Sequence, residues 1–461
     1  MNRAKKLVSN SIIFTIGNIG TKLIAFLMVP LYTYTLSRAD YGQIDILMTT
    51  VSLFLPITTL SIFDAVFRFS MDSSVNVKEI LTSGITVTVL IAFIEVALYP
   101  LLFFFHFEYA LAFLLILIST SLFTLIQNFA RAIGKSKIFA VAGIVNGLCL
   151  AILNIFFLVV WNFGITGYLY SFFISIIMGI VYLVISLKIW RYIDFSLFSL
   201  KTTKKMLHYS IPLIPNSLAW WLTSDANRFI ILTFIGVSAN GLFAVANKIP
   251  SLLSMMFNIF TQAWQISAVE EYDSDDVDVF YSNTFDVLQS FLFLTVASIL
   301  IVIRPLLSII ISPEFSSVWQ YVPILLISSL FSNLSAFLGT VFLAVKKTSG
   351  LFSTTVVGIV VNLVISFIFT PIFGINGTAL GGAVGFFTVM LIRFVYVQKY
   401  VNVRLNWIKF LSSFIGIIII SSGLYVTNIL QVYILAFGFI IIFIANISLF
   451  GKCALFIKSY F

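Results

Sequence analysis

Seven charged side chains, Lys22, Asp64, Arg68, Glu95, Asp225, Arg228 and Lys248, stand inside stretches otherwise built of aliphatic and aromatic residues. The plainest case is WWLTSDANRFIILTFIG, residues 220–236, where Asp225, Asn227 and Arg228 interrupt an apolar run. Charges in such surroundings neutralise one another, hold a charged ligand, or carry an ion. Asp225 and Arg228 are three residues apart and Asp64 and Arg68 four, so each pair can close on one helix face. Lys22 and Lys248 have no carboxylate within four residues on their own helices, so they call for an anion. Glu95 is a partner for a cation or an interior acid that exchanges a proton.

Polar stripes surround these charges. Asn18 stacks with Lys22; Asn216, Trp220, Thr223 and Asn227 share a face, as do Asn247, Ser251, Ser254, Asn258 and Gln262. Such stripes are either interhelical glue or the lining of a polar ligand site. A lining rich in amides and aromatics, with net positive charge, suits a sugar attached to phosphate. The candidate binding residues are Lys22, Arg228, Lys248, Asn18, Asn216, Asn227, Asn247 and Asn258.

Other chemistries find little support. His106 and His208 form no cluster, and Cys149 and Cys453 lie in unrelated apolar runs, so no metal site, disulfide framework or cofactor is expected. The loop EEYDSDDVD, 270–278, carries six acids. Its Asp273-Ser274-Asp275 resembles the Asp-x-Asp of glycosyltransferases, but no nucleotide-binding domain surrounds it. It reads as a solvated acidic loop, and the chain is not expected to be an enzyme.

The elements that must position these residues follow from composition. Of 461 residues, 61% are hydrophobic and 9% charged, against about 25% charged in soluble domains. The chain is therefore expected to be an all-α integral membrane protein. A spanning helix needs about 20 mostly apolar residues. Fourteen stretches qualify: 11–33, 44–66, 80–104, 109–130, 138–161, 166–187, 207–234, 239–265, 284–311, 321–345, 351–371, 377–398, 407–427 and 431–450. A charge at mid-bilayer costs about 2.5–3.5 kcal/mol even on the lenient scale, so the seven charges must face one another or water. Pro212 and Pro215 are expected to break the start of helix seven, and Pro30 and Pro250 to kink helices one and eight.

With a cytoplasmic N-terminus, Arg3 to Lys6, Arg131 to Lys137, Lys188 to Lys205, Lys346, Lys347 and Lys399 to Lys409 all fall in inside loops, and only Arg38 and Arg304 outside. This asymmetry places both termini in the cytoplasm. It also accounts for the net charge of +9 by an anionic leaflet rather than nucleic acid.

The chain also repeats itself. LSRADYGQIDIL (36–47) corresponds to IGVSANGLFAVA (235–246), and GIVNGL with FGITG (143–148, 163–167) to GIVVNL with FGING (358–363, 373–377). Helices one to six thus pair with seven to twelve. The expected division is an N-lobe, 1–200, a C-lobe, 201–400, and two additional helices with a tail, 401–461. Parallel repeats of this kind point to a transporter with its site between the lobes.

GNIGTKLIAFLMVPLYTYTLSRADYGQIDIL (17–47), the RAIGKSK loop (131–137) and the paired FGITG and FGING turns resemble the Wzx-type polysaccharide flippases. These are O-antigen and capsule repeat-unit transporters of the multidrug/oligosaccharidyl-lipid/polysaccharide superfamily. The resemblance covers essentially the whole chain. It implies a protein of the bacterial cytoplasmic membrane that moves an undecaprenyl-pyrophosphate-linked oligosaccharide by alternating access. It further implies coupling to H+ or Na+, with Asp64, Glu95 or Asp225 as the candidates for ion coupling, and work alongside other polysaccharide-assembly proteins. Lys22, Arg228 and Lys248 would neutralise the pyrophosphate. The nearest rivals are a drug exporter of the superfamily and a peptidoglycan-precursor flippase. The first usually needs lumenal acids, where helix one offers Lys22; the second has an arginine-rich first helix, absent from TIGNIGTKLIAF. A membrane glycan polymerase or glycosyltransferase is the rival from another class, and it lacks the long catalytic loop such chemistry needs.

Overall fold

The computed structural model describes residues 20–449 apart from 73, 74, 105–107, 273, 346 and 448, with backbone only at 102, 103, 262, 263, 266, 269, 270 and 348. Asn18, Asp273, His106 and Cys453 lie outside the described residues, as do the basic residues of both termini. The described residues form helices and contain no strand. They divide into two units, the first ending at Ala226 and the second starting at Asn227.

The first unit holds helices α1 (20–27), α2 (Val29–Thr35), α3 (Arg38–Thr58), α4 (Ile62–Ser70), α5 (Val77–Ala97), α6 (Tyr99–Phe104), α7 (Ala110–Ala132), α8 (Ser136–Asn154, continued by a π turn to Val160), α9 (Gly164–Leu187), α10 (Leu200–Ser210) and α11 (Ile214–Ser224). α3 opens on a reciprocal cap: the Ser37 hydroxyl accepts from the Asp40 N–H at 3.1 Å, and the Asp40 carboxylate accepts from the Ser37 N–H at 3.2 Å. It ends soon after Pro56, whose ring removes a backbone donor. Leu60 and Ser61 then take φ of 52° and 49°, and α4 leaves at 60° to α3. The bend is held by α4 against α5 and α7, with Ile62, Val66, Ile80, Leu81, Leu125 and Phe129 buried together. A side chain at Gly84 would collide with Val66, which shows how closely α4 lies on α5. The Trp221 indole N–H donates to the Thr49 carbonyl at 3.1 Å and so ties α11 to α3.

α10 and α11 group with this first unit, so the structural division falls inside the stretch expected to be helix seven, not at residue 200.

The second unit holds α12 (Asn227–Phe234), α13 (Val237–Ala246), α14 (Lys248–Glu270), α15 (Val277–Ile310), α16 (Val322–Ala344), α17 (Thr348–Phe373), α18 (Ile375–Val397), α19 (Trp407–Gly423) and α20 (Leu430–Ala445). Among the described residues nine helices are long and apolar enough to cross a membrane, and ten if α3 and α4 form one span; α19 and α20 are shorter apolar helices. Each of the fourteen expected stretches is mostly helical where described, most in one piece or two and 207–234 in three with a short turn between the first two.

The repeat is visible in the backbone. The α8–α9 and α17–α18 hairpins turn on Gly164 (φ +55°) and Gly374 (φ +60°), a conformation that a Cβ strains. Three residues on, Gly167 and Gly377 press against the preceding helix; a Cβ at Gly167 would sit 3.1 Å from the Phe157 carbonyl, and one at Gly377 would overlap the Phe369 carbonyl. Outside the repeat, α19 is fixed to α15 by Lys409 Nζ and Asp286 Oδ1 at 2.6 Å.

Candidate functional site

Several candidate site residues, Asp225, Asn227, Arg228, Asn247 and Lys248, stand at interruptions of the spans. α1 and α2 part at Met28, where Pro30 opens α2. The turn Ile211–Leu213, containing Pro212, joins α10 to α11, and Pro215 sits in the first turn of α11. The deeper interruption of this span is not at a proline: α11 stops at Ser224 and α12 starts at Asn227. Asp225 caps α11 with φ −123° and accepts from the Ser224 hydroxyl at 2.6 Å. Arg228 falls in the first turn of α12. The helix expected to run unbroken through Asp225 and Arg228 is thus interrupted between them. A one-residue interruption at Asn247 separates α13 from α14, and Lys248 is the first residue of α14, with Pro250 in the same turn.

Interrupted spans have a physical meaning. In a bilayer each unpaired backbone group costs several kcal/mol, so non-helical backbone persists only where protein or a water-lined cavity covers it. In transporters such interruptions border the substrate and ion sites.

In the first unit, Lys22 is exposed on α1 and Asn216 on α11. Asp64 is half-buried and Arg68 exposed on α4; their expected mutual neutralisation is not formed, for no ion pair joins them. Glu95 is buried on α5 beside Thr58 at the end of α3, and its Oε1 has no hydrogen-bond partner among the described residues. The acid thus sits against the last turn before the α3–α4 bend.

In the second unit, Asn227, Arg228, Asn247 and Lys248 are half-buried and Asn258 exposed. Asn227 is engaged within the unit. Its amide donates to Asn362 Oδ1 at 3.4 Å and accepts from the Ser366 hydroxyl at 3.4 Å. Ser366 also donates to Asn362 Oδ1 at 3.1 Å, and the Thr370 and Thr378 hydroxyls meet at 2.7 Å. This cluster locks α12 to α17 and α18. Asn247 donates to the Phe243 carbonyl at 3.1 Å, bridging its own interruption. Ser254 meets Ser329 of α16 at 3.1 Å, so the stripe from Asn247 to Asn258 is partly interhelical glue.

Sequence reading missed Arg393, buried in α18. Its guanidinium donates to Thr354 Oγ1 (3.0 Å), Ser335 O (2.8 Å), Thr355 Oγ1 (2.9 Å) and Leu351 O (3.4 Å). Neutral acceptors on α16 and α17 hold it, so it clamps three helices. It also missed the interior position of Lys409, which the topology had set in an inside loop. Among the described residues no group of three or more His, Cys, Asp or Glu side chains converges as a metal site would require.

The sequence profile of the family described as "Polysaccharide biosynthesis protein" matches residues 7–265, more than half of the 461. The chain belongs to that family. No curated protein sequence matches it. Among solved structures, the lipid II flippase MurJ in an inward closed conformation is 14% identical with a TM-score of 0.70, over 96% of this chain and 100% of that one. An inward-facing multidrug resistance MATE family transporter of the MOP superfamily is 14% identical with a TM-score of 0.61, over 82% of this chain and 97% of that one. A Vibrio cholerae MATE transporter is 16% identical with a TM-score of 0.59, over 86% and 96%. This family member therefore has the multi-pass helical fold of that superfamily, as its resemblance to the polysaccharide flippases implied.

Proposed function

We propose that the protein flips an anionic lipid-linked oligosaccharide, an undecaprenyl-pyrophosphate-linked repeat unit, across the bacterial cytoplasmic membrane by alternating access. The observation that carries this reading is the retention of cations at the interrupted spans of a polysaccharide biosynthesis family member. Arg228 is the most telling. The start of a helix disfavours a cation by about 0.3–1 kcal/mol, and burial adds to that cost. An anionic ligand reverses both signs, because helix starts and guanidinium groups each favour phosphate. Lys248 and Lys22 extend the same positive character. Asn18, Asn216, Asn247 and Asn258 would serve the sugars; Asn227 would act chiefly by holding α12 in place.

Coupling to H+ or Na+ would run through Asp64, Glu95 or Asp225, with Glu95 favoured by its burial against the α3–α4 bend. Positive-inside bias supports cytoplasmic termini, and the activity is transport rather than catalysis. Whether the glycan is an O-antigen, a capsule or another polymer is decided by its sugars. The test is deletion in the native organism, followed by assay of which membrane face carries the lipid-linked unit. The unit should accumulate facing the cytoplasm and be restored by wild type. Normal appearance on the outer face in a strain with no second flippase would refute the reading and leave cation export as the alternative.

A further inference from the structure

A cavity of about 440 Å³ opens in the first unit between the start of α7 and the start of α9. Its wall changes character along the helices. At the end where both helices begin it is lined by Glu108, Tyr109 and Thr166, with Tyr99 beside them; deeper in, by Leu115, Leu169, Phe173 and Ile174. From Tyr109 to Leu115 the helix rises about 9 Å, and from Thr166 to Ile174 about 12 Å. The polar rim thus lies at the end of two candidate spans, where headgroups sit, and the apolar depth runs toward the hydrocarbon. Leu111, Leu115 and Tyr170 are exposed beside it, so the cleft is open sideways to lipid.

The rim is chemically selective. The Glu108 carboxylate accepts from Gln43 Nε2 at 3.0 Å, which fixes its position. Among the described residues no cation pairs with Glu108, and none of those that line the cleft is lysine, arginine or histidine. A carboxylate ringed by tyrosines favours an ammonium ion, through a charge-assisted hydrogen bond and the faces of the rings. It disfavours a headgroup with net negative charge.

We propose that this cleft is a binding site for a zwitterionic aminophospholipid of the surrounding membrane, with the ammonium on Glu108 and one acyl chain along Leu115, Leu169, Phe173 and Ile174. The bound lipid would fill the space between α7 and α9 at their starts. The proposal does not depend on what the protein carries.

The test is native mass spectrometry of the full chain exchanged into equimolar dioleoyl phosphatidylethanolamine, phosphatidylcholine and phosphatidylglycerol. Wild type should retain phosphatidylethanolamine about tenfold over phosphatidylglycerol, as expected for one hydrogen bond to a charged group. Phosphatidylcholine, which keeps the charge but donates no N–H, should fall between. Glu108→Gln should abolish the preference while still retaining lipid, and Leu115→Trp, which fills the cleft, should lower retention of all three. Equal retention of phosphatidylethanolamine and phosphatidylglycerol by wild type would overturn the proposal. So would a preference that survives Glu108→Gln. If either variant fails to fold, the wild-type comparison still decides.

Discussion

Lys409 and Asp286 offer a quantitative test of how α19, which lies outside the internal repeat, is held to α15. The two groups are 2.6 Å apart, with side-chain exposures of 6% and 23%. Removing one partner of a fully buried pair costs about 3–5 kcal/mol, mostly because the other charge is left without compensation. Asp286 is partly exposed, so water relieves some of that penalty, and Lys409→Met should cost about 2–4 kcal/mol. Asp286→Leu strands a more deeply buried ammonium and should fall at the upper end of that range. The double variant replaces the pair by apolar groups and should lie within about 1 kcal/mol of wild type. The coupling in the double-mutant cycle is then at least about 2 kcal/mol. Unfolding in mixed micelles by increasing dodecyl sulphate, followed by circular dichroism, measures all four proteins. If the double variant loses the sum of the two single losses, the pair is not a unit and the reasoning fails.

Three further outcomes follow from the packing. Gly377→Ala drives a methyl into the Phe369 carbonyl and should destabilise by about 1–3 kcal/mol, whereas Gly147→Ala meets nothing closer than 3.5 Å and should be neutral or slightly stabilising; thermal melts of the two compare them directly. Arg393→Met removes the donors to Ser335, Leu351, Thr354 and Thr355. At about 0.6 kcal/mol for each interhelical hydrogen bond, the loss should reach about 2 kcal/mol in the same assay. Trp264→Phe loses the 2.9 Å bond to Thr340 but keeps the ring, so it should cost about 0.5–1.5 kcal/mol; no change would mean Thr340 is satisfied otherwise.

Hydrophobic run length made the helices legible, and the paired glycines made the repeat legible, because both follow from local chemistry. FGITG and FGING announce one turn twice, and Gly164 and Gly374 make it. The interruptions were less legible. Prolines marked those at Met28 and at 211–213, but the break at Asp225–Ala226 carries no proline or glycine, and Asp225, Asn227 and Arg228 around it read equally as part of an unbroken helix. Pro56 stands before the 60° bend, yet the left-handed Leu60 and Ser61 are imposed by the packing of α4 on α5. Arg393 was missed because its partners are carbonyls and hydroxyls from two other helices, and nothing nearby in sequence complements it. Lys409 looked like one more orientation charge because Asp286 lies 123 positions away. Asn227 shows the reverse case: its type and neighbours fit a ligand, and folding gives it Asn362 and Ser366.

Movement of an anionic lipid-linked glycan is the central claim, and reconstitution tests it most directly. The purified protein would be placed in vesicles with an undecaprenyl-pyrophosphate oligosaccharide loaded in the inner leaflet, and arrival in the outer leaflet read by an impermeant lectin. The wild-type protein should deliver the glycan well above protein-free vesicles, and correctly folded Arg228→Ala and Lys22→Ala should be slower by at least about tenfold. Delivery at the protein-free rate, or delivery undiminished in both variants, would contradict the account.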